Sequence, residues 1–460
     1  MSTSQTMTTD FETLRSDLHG EIFEPAGVGY DTARQAWNLA VEQRPAAVVF
    51  AADAADVQAT VAFAAAEGLR VAPQGTGHHA GSLDPLDGAI LLRTDRMRSV
   101  TIDVAARTAR AGAGALWMDV TGPAAEHGLA ALAGSAADVG VVGYTLGGGM
   151  SWLGRRYGLA ANHVTSFDVV TADGRARHVD AANDPDLFWA MRGGGGSYAI
   201  VTAIEFALFA VPEVSAGAMF WPLDRAAEVL AAWVAWTETV PESVTSCWRV
   251  LRFPPLPDMP DMLRGRSFTV IETVHTGDPE EGAAIIAPLR ALEPAMDTTA
   301  VISPGALTEL HMDPPGPVPG FGDGFLIDEL TAEAQAALIE VVGPESDAPM
   351  LAVDVRHAGG ALGRHPAGHG ALAALPSPYV LFGVGMVPSP EVTAMVMAHS
   401  NVIGTAMAPW RGPSGFANFT ERPGAAADVL EPAAAGPAAA VKAQYDPQDL
   451  IQAIHPPTTR

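Results

Sequence analysis

Three glycine-dense segments in the 460-residue sequence could each hold a ligand with backbone atoms. They cover residues 75–81, 140–149 and 193–196. Glycine lets a loop curl so that its N–H groups converge on an anion, and no side chain then obstructs the ligand. One such loop alone is usually a tight connection between elements. Three of them in one region, the first with the adjacent pair His78 and His79, favour a site for a phosphate-bearing ligand.

The first segment matches the letters of a dinucleotide-binding loop but lacks its context. Residues 75–80 read GTGHHA, a G-x-G-x-x-A pattern. In a Rossmann fold this loop leads directly into a helix, whereas residues 81–85, GSLDP, predict more loop. The sequence also lacks a G-x-x-x-x-G-K-[ST] segment. Both observations argue against the two commonest nucleotide-binding loops.

Charge and cysteine content exclude several classes of protein. The chain has 26 Lys and Arg against 52 Asp and Glu, a formal net charge of −26, and no basic run, so nucleic acid and anionic membranes are poor partners. Cys247 is the single cysteine, which excludes an intramolecular disulfide, a Cys-rich zinc site and an iron–sulfur cluster. Adjacent histidines rarely reach one ion, so we expect no metal. The N-terminus lacks a signal-peptide pattern, and we expect a cytoplasmic protein.

The elements that must position the loops change character near residue 212. Residues 46–50 and 70–73 predict buried strands around an Ala-rich helix, which Asp53 can cap and Gly68 can end. This is the start of a βαβ unit. Beyond residue 212 the glycine runs disappear, and longer strands alternate with helices. That pattern predicts a separate antiparallel sheet with helices packed on it.

Together these segments resemble the FAD-binding domain of the vanillyl-alcohol oxidase superfamily (PCMH type) and, more narrowly, the berberine-bridge-enzyme-like oxidoreductases. The matching stretches are VAPQGTGHHAG, HGLAALAGSAADVGVVGYTLGGGMSWLGRRYGLAANHV, DLFWAMRGGGGSYAIVT and, in the tail, FANF and AVKAQYDP. The resemblance implies an α+β fold: two subdomains hold FAD, and an antiparallel sheet covered by helices forms a substrate domain. The expected parts are the FAD-binding domain at 1–211, the substrate domain at 212–410 and a C-terminal segment at 411–460 that returns to the FAD domain.

The resemblance also implies a covalent bond between His78 and the flavin. His78 follows Gly77 where such enzymes carry the histidine that is joined to the flavin 8α-methyl carbon, and a shift of one residue would place His79 there instead. Many relatives carry a second, cysteinyl bond, but the corresponding residue here is Ala136. Cys247 lies in the other domain and cannot replace it. We therefore expect FAD with one covalent bond.

Further flavin contacts are expected along the matched loops. The second glycine-dense segment would border the pyrophosphate and ribityl region, and the backbone of residues 200–201 would meet the flavin ring or the adenine. The expected cofactor-binding residues are Gly75, Thr76, Gly77, His78, His79, Ala80, Gly81, Ser82, Ala136, Asp138, Val139, Gly140, Gly143, Tyr144, Gly147, Ile200, Val201 and Asn418.

The catalytic base is the least defined part of the site. Relatives often have Tyr beside the Asn of the tail motif, but here residues 416–419 read FANF. A phenolate base is excluded there, and Asn418 is left to bind flavin or substrate. The other titratable candidates are His357, Arg356 and Tyr379. A structural histidine is the competing interpretation of His357.

These features lead us to expect an FAD-dependent oxidoreductase, and more narrowly an oxidase. It would take a hydride from a small organic molecule (a secondary-metabolite alcohol, an amine or an activated C–H) to flavin N5 and pass the electrons to O2. In the resembling enzymes the residue at Val139 guards the path of oxygen, and a compact valine suggests an open path. The competing interpretation makes Val139 a core residue. The alternative functions are a dehydrogenase with another acceptor and a non-catalytic flavin-binding protein.

Overall fold

The computed structural model describes residues 9–83, 85–255, 257 and 261–457. Its helices and strands are arranged around three main sheets, which confirms the predicted α+β class. Among the described helices, none has both the length and the apolar character needed to cross a membrane.

The first sheet is mostly parallel and begins with the predicted βαβ unit. Its elements are, in chain order, α1 (Glu12–Asp17), β1 (Glu21–Phe23), α2 (Tyr30–Ala33), β2 (Ala47–Phe50), α3 (Ala54–Glu67), β3 (Arg70–Gln74) and β4 (Ala89–Arg93). The strand order is β1-β2-β4-β3, and β4 pairs in parallel with both β2 and β3. The Asp53 carboxylate accepts hydrogen bonds from the first N–H groups of α3. Gly68 ends that helix in the left-handed conformation with φ 68°, as predicted.

The second sheet is antiparallel and carries the second and third glycine-dense segments on its connections. Its elements are β5 (Val100–Asp103), β6 (Thr108–Gly112), α4 (Trp117–Ala125), β7 (Leu129–Ala130), α5 (Val141–Leu146), α6 (Gly154–Tyr157), β8 (Val164–Val170), β9 (Ala176–Val179), α7 (Pro185–Met191), β10 (Ile200–Ala207) and β11 (Phe209–Ala210). The strand order is β5-β6-β10-β8-β9, while β7 and β11 form a separate pair. The glycine-dense segments precede and include α5 and follow α7, so both lie at helix ends next to this sheet.

The third sheet is long, antiparallel and covered by helices. Its elements are β12 (Val214–Pro222), α8 (Ala226–Thr237), β13 (Val244–Arg252), β14 (Ser267–His275), α9 (Pro279–Arg290), β15 (Met296–Asp297), β16 (Ala300–Ile302), β17 (Gly320–Ile327), α10 (Ala332–Val342), β18 (Ala352–His357), β19 (Tyr379–Met386) and α11 (Pro390–Ala406). The strand order is β15-β12-β14-β13-β18-β19-β17, and β16 pairs with β12. Short 3₁₀ turns lie at Ala80–Ser82, Ala160–His163, Leu223–Arg225, Pro304–Glu309, Gly360–Gly363, Ala408–Trp410 and Ala426–Asp428.

Alternation along the strands gives the third sheet two different faces. Val353 and Val355 of β18 belong to the apolar core that includes Trp233 of α8 and Leu338 of α10. Successive side chains of a strand point to opposite faces, so Asp354 points away from these helices. That second face is turned toward the glycine-dense segments.

The C-terminal tail packs against the first two sheets. Its helix, α12 (Pro432–Tyr445), ends near the buried Lys442, whose Nζ donates to the carbonyl oxygens of Ser197 and Ile451 at 2.9 and 3.0 Å. Ile451 also forms a bridge with Val71 of β3. The tail is thereby anchored beside the third glycine-dense segment. The boundaries at residues 211 and 410 stay a prediction.

Candidate active site

A cavity of about 470 Å³ lies between the glycine-dense segments and the open face of the third sheet. All three glycine-dense segments contribute to its floor. The opposite wall comes from alternate residues of β13, β17, β18 and β19, and tail residues 417–419, 421 and 453–455 border the remaining side. Residues from all three sheets' connections and from the tail thus meet around one cavity.

The floor needs glycine for two different reasons. Gly77 has φ +84°, and a Cβ there would lie 2.9 Å from the Ala36 Cβ, so both conformation and space exclude a side chain. At Gly143 a Cβ would meet nothing within 4 Å, and at Gly140 only Thr76 at 3.9 Å. These two positions therefore leave open space that a ligand can fill. A cradle of this kind fits the phosphates and ribityl chain of FAD.

His78 projects from the first glycine-dense segment and borders the cavity. Its ring stacks on Trp37, with centroids 3.9 Å apart and planes inclined by 17°. The Nδ1 atom is 2.7 Å from Thr76 Oγ1, whereas Nε2 is buried and has no hydrogen-bond partner in the described chain. An unpartnered buried nitrogen at a cavity wall is costly without a ligand, so it suits a flavin at this place.

Asp138 lies close to His78 and accepts a hydrogen bond from Trp37, on which the His78 ring stacks. Its Oδ2 accepts a hydrogen bond of 2.7 Å from Trp37 Nε1, and its Oδ1 is 3.6 Å from His78 Nε2, too long for a hydrogen bond. Burial would raise the pKa of Asp138, but the His78 imidazole and the Trp37 N–H outweigh it, and the pKa is lowered. A negative charge is therefore held next to the histidine ring.

His79 has a different environment from that of its neighbour. Its Nε2 lies 2.8 Å from the carbonyl oxygen of Thr420, and His455 Nε2 lies 3.1 Å from the same oxygen. Burial lowers the pKa of His79 to about 4, so the ring is neutral. Since a carbonyl only accepts, both Nε2 atoms donate. His79 thus ties the first glycine-dense segment to the tail.

Tyr144 and Asn418 join the floor to the tail. The Tyr144 hydroxyl is buried without a hydrogen-bond partner in the described chain, and burial raises its pKa, so it stays a neutral phenol. Asn418 donates from Nδ2 to the Tyr144 carbonyl at 3.0 Å and accepts at Oδ1 from Gly149 N at 2.9 Å. The amide expected to bind flavin or substrate is therefore already held by backbone groups at both ends, although it borders the cavity.

The structure brings most of the expected cofactor-binding residues together around the cavity. Gly81, Ser82, Asp138 and Ile200 are the exceptions and lie behind the lining. Those that border the cavity are Gly75, Thr76, Gly77, His78, His79, Ala80, Ala136, Val139, Gly140, Gly143, Tyr144, Gly147, Val201 and Asn418.

His357 and Tyr379, expected as catalytic candidates, lie on the helix-covered face of the third sheet. Their rings stack with centroids 5.8 Å apart, beside Trp233. His357 Nε2 is 2.7 Å from Arg155 Nη1, and burial together with Arg155 lowers the pKa of His357 to about 3. The Tyr379 hydroxyl is 3.0 Å from Thr237 Oγ1. Neither borders the cavity, so the structure argues against both as the catalytic base and supports the structural interpretation of His357.

The cavity wall instead carries a buried network of charged groups that sequence reasoning mostly missed. Arg249 Nη1 is 2.8 Å from Glu272 Oε1, and Glu272 Oε2 is 2.7 Å from His311 Nδ1. Arg356 Nη2 is 2.9 Å from His311 Nε2, and Arg356 Nε is 2.7 Å from Asp354 Oδ2. Burial and the two arginines lower the pKa of His311 to about 3. A neutral His311 donates from Nδ1 and accepts at Nε2, which matches both contacts.

A signal for this network exists in the sequence. Arg249, Glu272, Asp354 and Arg356 are charged residues inside predicted strands, where charge is uncommon unless the side chain is paired or faces a site. Of these, only Arg356 was among the candidates. Glu421, in the tail, is a further acidic residue of the wall and carries no such signal.

Comparison with known proteins identifies an FAD-binding segment in the chain. Residues 45–180 match the family described as FAD binding domain. The chain is 32% identical over 225 residues to (R)-6-hydroxynicotine oxidase of Paenarthrobacter nicotinovorans, a match covering 49% of this chain and 46% of that protein. It is 35% identical over 200 residues to glucooligosaccharide oxidase of Sarocladium strictum, covering 42% of this chain and 39% of that protein. The matches thus cover less than half the length of these two relatives.

Two solved structures show the same fold over nearly the whole chain. BBE-like 1 of Physcomitrella patens superposes with a TM-score of 0.81 at 20% identity, covering 98% of this chain and 100% of that one. The 6-hydroxy-D-nicotine oxidase of Arthrobacter nicotinovorans gives 0.78 at 23% identity, covering 94% and 96%. The chain thus has the fold of these two structures, and residues 45–180 match an FAD-binding domain family.

Proposed function

We propose that the protein is an FAD-dependent oxidase of a small organic molecule, with its flavin joined to His78. The observation that carries the proposal is the cavity itself, whose floor is glycine backbone with His78 at its edge and whose wall carries polar side chains. Bound FAD would supply the two-electron acceptor. The substrate would be a secondary-metabolite alcohol, an amine or a compound with an activated C–H, and O2 would take the electrons from the reduced flavin.

The chain's own residues would act in three ways. The floor glycines leave room for the cofactor and offer N–H groups in place of basic side chains. Tyr144 keeps its phenolic proton and can donate a hydrogen bond to a bound group. Asp354 and Arg356 are locked to one another at 2.7 Å and present a fixed acceptor and a fixed donor to polar atoms of a substrate.

The choice between His78 and His79 rests on their free nitrogen atoms. The Nε2 of His79 is committed to Thr420, and its ring helps to hold the tail. His78 has an unpartnered Nε2 and a ring held flat against Trp37. Attachment through His78 would therefore leave the contact between loop and tail intact. This supports His78, rather than His79, as the attachment residue.

Acid precipitation of the purified protein tests the attachment. We expect a yellow precipitate and a fluorescent band on a denaturing gel, both lost in His78→Ala and kept in His79→Ala. A band that survives in His78→Ala and disappears in His79→Ala would move the attachment by one residue. Colourless wild-type protein that takes up no added FAD would contradict the proposed function.

Catalysis is tested separately, by following hydrogen peroxide release with panels of alcohols and amines. The competing function, a flavin-binding protein without turnover, would leave the bound flavin oxidised with every compound under anaerobic conditions. Anaerobic bleaching without peroxide on re-aeration would favour a dehydrogenase.

A further inference from the structure

Glu421 is a wall carboxyl group whose charge no cation balances within the described chain. It lies in the tail, shortly after Asn418, and its Oε2 accepts a hydrogen bond from Gly322 N at 3.1 Å. A carboxylate can accept several hydrogen bonds, and this is the one found for Glu421 among the described residues. The adjacent Arg422 does not help, because its guanidinium contacts Asp323 and Asn401.

The charged groups around Glu421 do not neutralise it either. Arg356 is paired with Asp354 on the same strand, β18, and Asp323 on β17 adds a further negative charge. His79 and His455 share the Thr420 carbonyl next to Glu421, and burial lowers the pKa of both, so they carry no positive charge at neutral pH. The environment of Glu421 is therefore apolar or negative.

Aromatic rings form the apolar part of that environment. Phe382 and Phe419 meet edge to face, with centroids 5.3 Å apart. Phe382 lies directly over Gly322, since a Cβ there would come within 2.3 Å of its ring. Arg356 covers Phe419 at 4.7 Å, but its charge is matched by Asp354. A carboxylate beside aromatic rings is a favourable site for an organic cation.

We propose that Glu421 binds the positively charged amino group of the substrate, so that the preferred substrate class is a protonated amine rather than a neutral alcohol or sugar. This inference rests on the proposed function and makes its substrate class narrower. The reason is a burial cost: the ionised form of Glu421 is unfavourable in the wall without a cation, and an ammonium group supplies the balancing charge and further hydrogen-bond donors.

The same environment couples binding of a cationic substrate to the release of a proton from Glu421. Burial and the nearby Asp323 raise the pKa of Glu421 to about 8, so the empty site holds a neutral carboxylic acid at neutral pH. An arriving ammonium ion favours the charged form and lowers that pKa. Binding of the cation should then release close to one proton, whereas a neutral ligand should release none.

Calorimetric titration of the oxidised, FAD-loaded protein tests this with two matched probes, benzylammonium chloride and benzyl alcohol. We expect benzylammonium to bind at least about ten-fold more tightly than benzyl alcohol, which corresponds to a difference in binding free energy of roughly 1.4 kcal/mol. Repeating the titration in buffers of different ionisation enthalpy should show the proton release for benzylammonium alone. Glu421→Gln should lose both the preference and the release, while Glu340→Gln, which removes one exposed carboxylate from α10, should keep them.

Several outcomes would overturn the inference: equal or tighter binding of benzyl alcohol, no detectable binding of benzylammonium, or a preference that survives in Glu421→Gln. The proton release in the wild-type protein needs no variant, so the test holds even where Glu421→Gln fails to fold. The experiment also separates the two proposals. Yellow protein that oxidises only neutral substrates would keep the oxidase function and reject the role of Glu421, whereas colourless protein would reject the oxidase function first.

Discussion

The floor and the wall of the cavity recognise ligands by opposite means. The floor is backbone: Gly77, Gly193 and Gly195 have φ values that other residues avoid, and few charged side chains border it. The wall is built from side chains, including two buried arginines paired with two buried acids. A floor of this kind can hold one invariant cofactor, because N–H groups and empty space do not depend on side-chain identity. The wall can change its substrate by single substitutions on a fixed sheet.

Replacing a floor glycine should have the largest effect. Gly77→Val forces a β-branched residue to φ +84° and against Ala36, a strain of about 1–3 kcal/mol in backbone alone. We expect colourless protein, with FAD content measured by absorbance reduced by more than about ten-fold. Gly174→Val is the matched control, since Gly174 has φ +76° in an open turn with nothing within 4 Å. If Gly77→Val retained FAD, the proposal that the glycine backbone of the floor holds the cofactor would be contradicted.

Breaking the wall should cost stability and leave the flavin in place. Arg249→Met removes the partner of Glu272 in a fully buried pair, and we expect the free energy of unfolding to fall by about 3–5 kcal/mol. Urea denaturation measures it, and the yellow colour should persist. Arg225→Met, which breaks an exposed pair with Glu228, should cost far less stability, because solvent screens that pair. Flavin loss in Arg249→Met at temperatures where the fold persists would show that the wall also holds the cofactor.

Acid should loosen the contact between floor and tail through His79. The pKa of His79 falls from 6.5 to about 4 on folding, so the unfolded chain binds more protons in this interval and stability declines as pH falls from 6.5 toward 4. The full loss from this group is up to about 3 kcal/mol. His79→Gln should flatten this part of the stability curve, measured by thermal unfolding across the interval. His127→Gln, at an exposed histidine, should leave the curve unchanged.

The sequence pointed to the glycine residues of the floor, whereas for the wall it indicated strands but not which face of them borders the cavity. Gly77 stands in a local pattern whose meaning depends on backbone conformation, and that conformation is nearly fixed by the sequence of the loop. His357 and Arg356 are adjacent in one strand, and a shift of one residue exchanges the cavity face for the helix face. The sequence indicated a strand there but not its register to the cavity. Glu421 was missed because its burial depends on how the tail folds back over β17.

The smallest effect is expected at Val139, a floor residue that would control the access of O2 to the reduced flavin. Val139 borders the cavity next to Ala136 and Gly140, which is compatible with the proposed role as an oxygen gate. One added methylene in a packed wall can close a space of the size of a gas molecule, so Val139→Leu should slow reoxidation of the reduced flavin by about ten-fold or less, equivalent to roughly 1.4 kcal/mol of barrier. The measurement is stopped-flow mixing of anaerobically reduced protein with aerated buffer.

Val142→Leu supplies the matched control for this last prediction, because Val142 also borders the cavity and receives the same methylene. Slower reoxidation in Val139→Leu alone, with hydrogen peroxide as the product, would assign the gate to one position of the floor. Equal slowing in both variants would point to general crowding of the cavity. Reoxidation no faster than that of free reduced flavin, and equal in all three proteins, would place the enzyme among the dehydrogenases and leave Val139 as a packing residue.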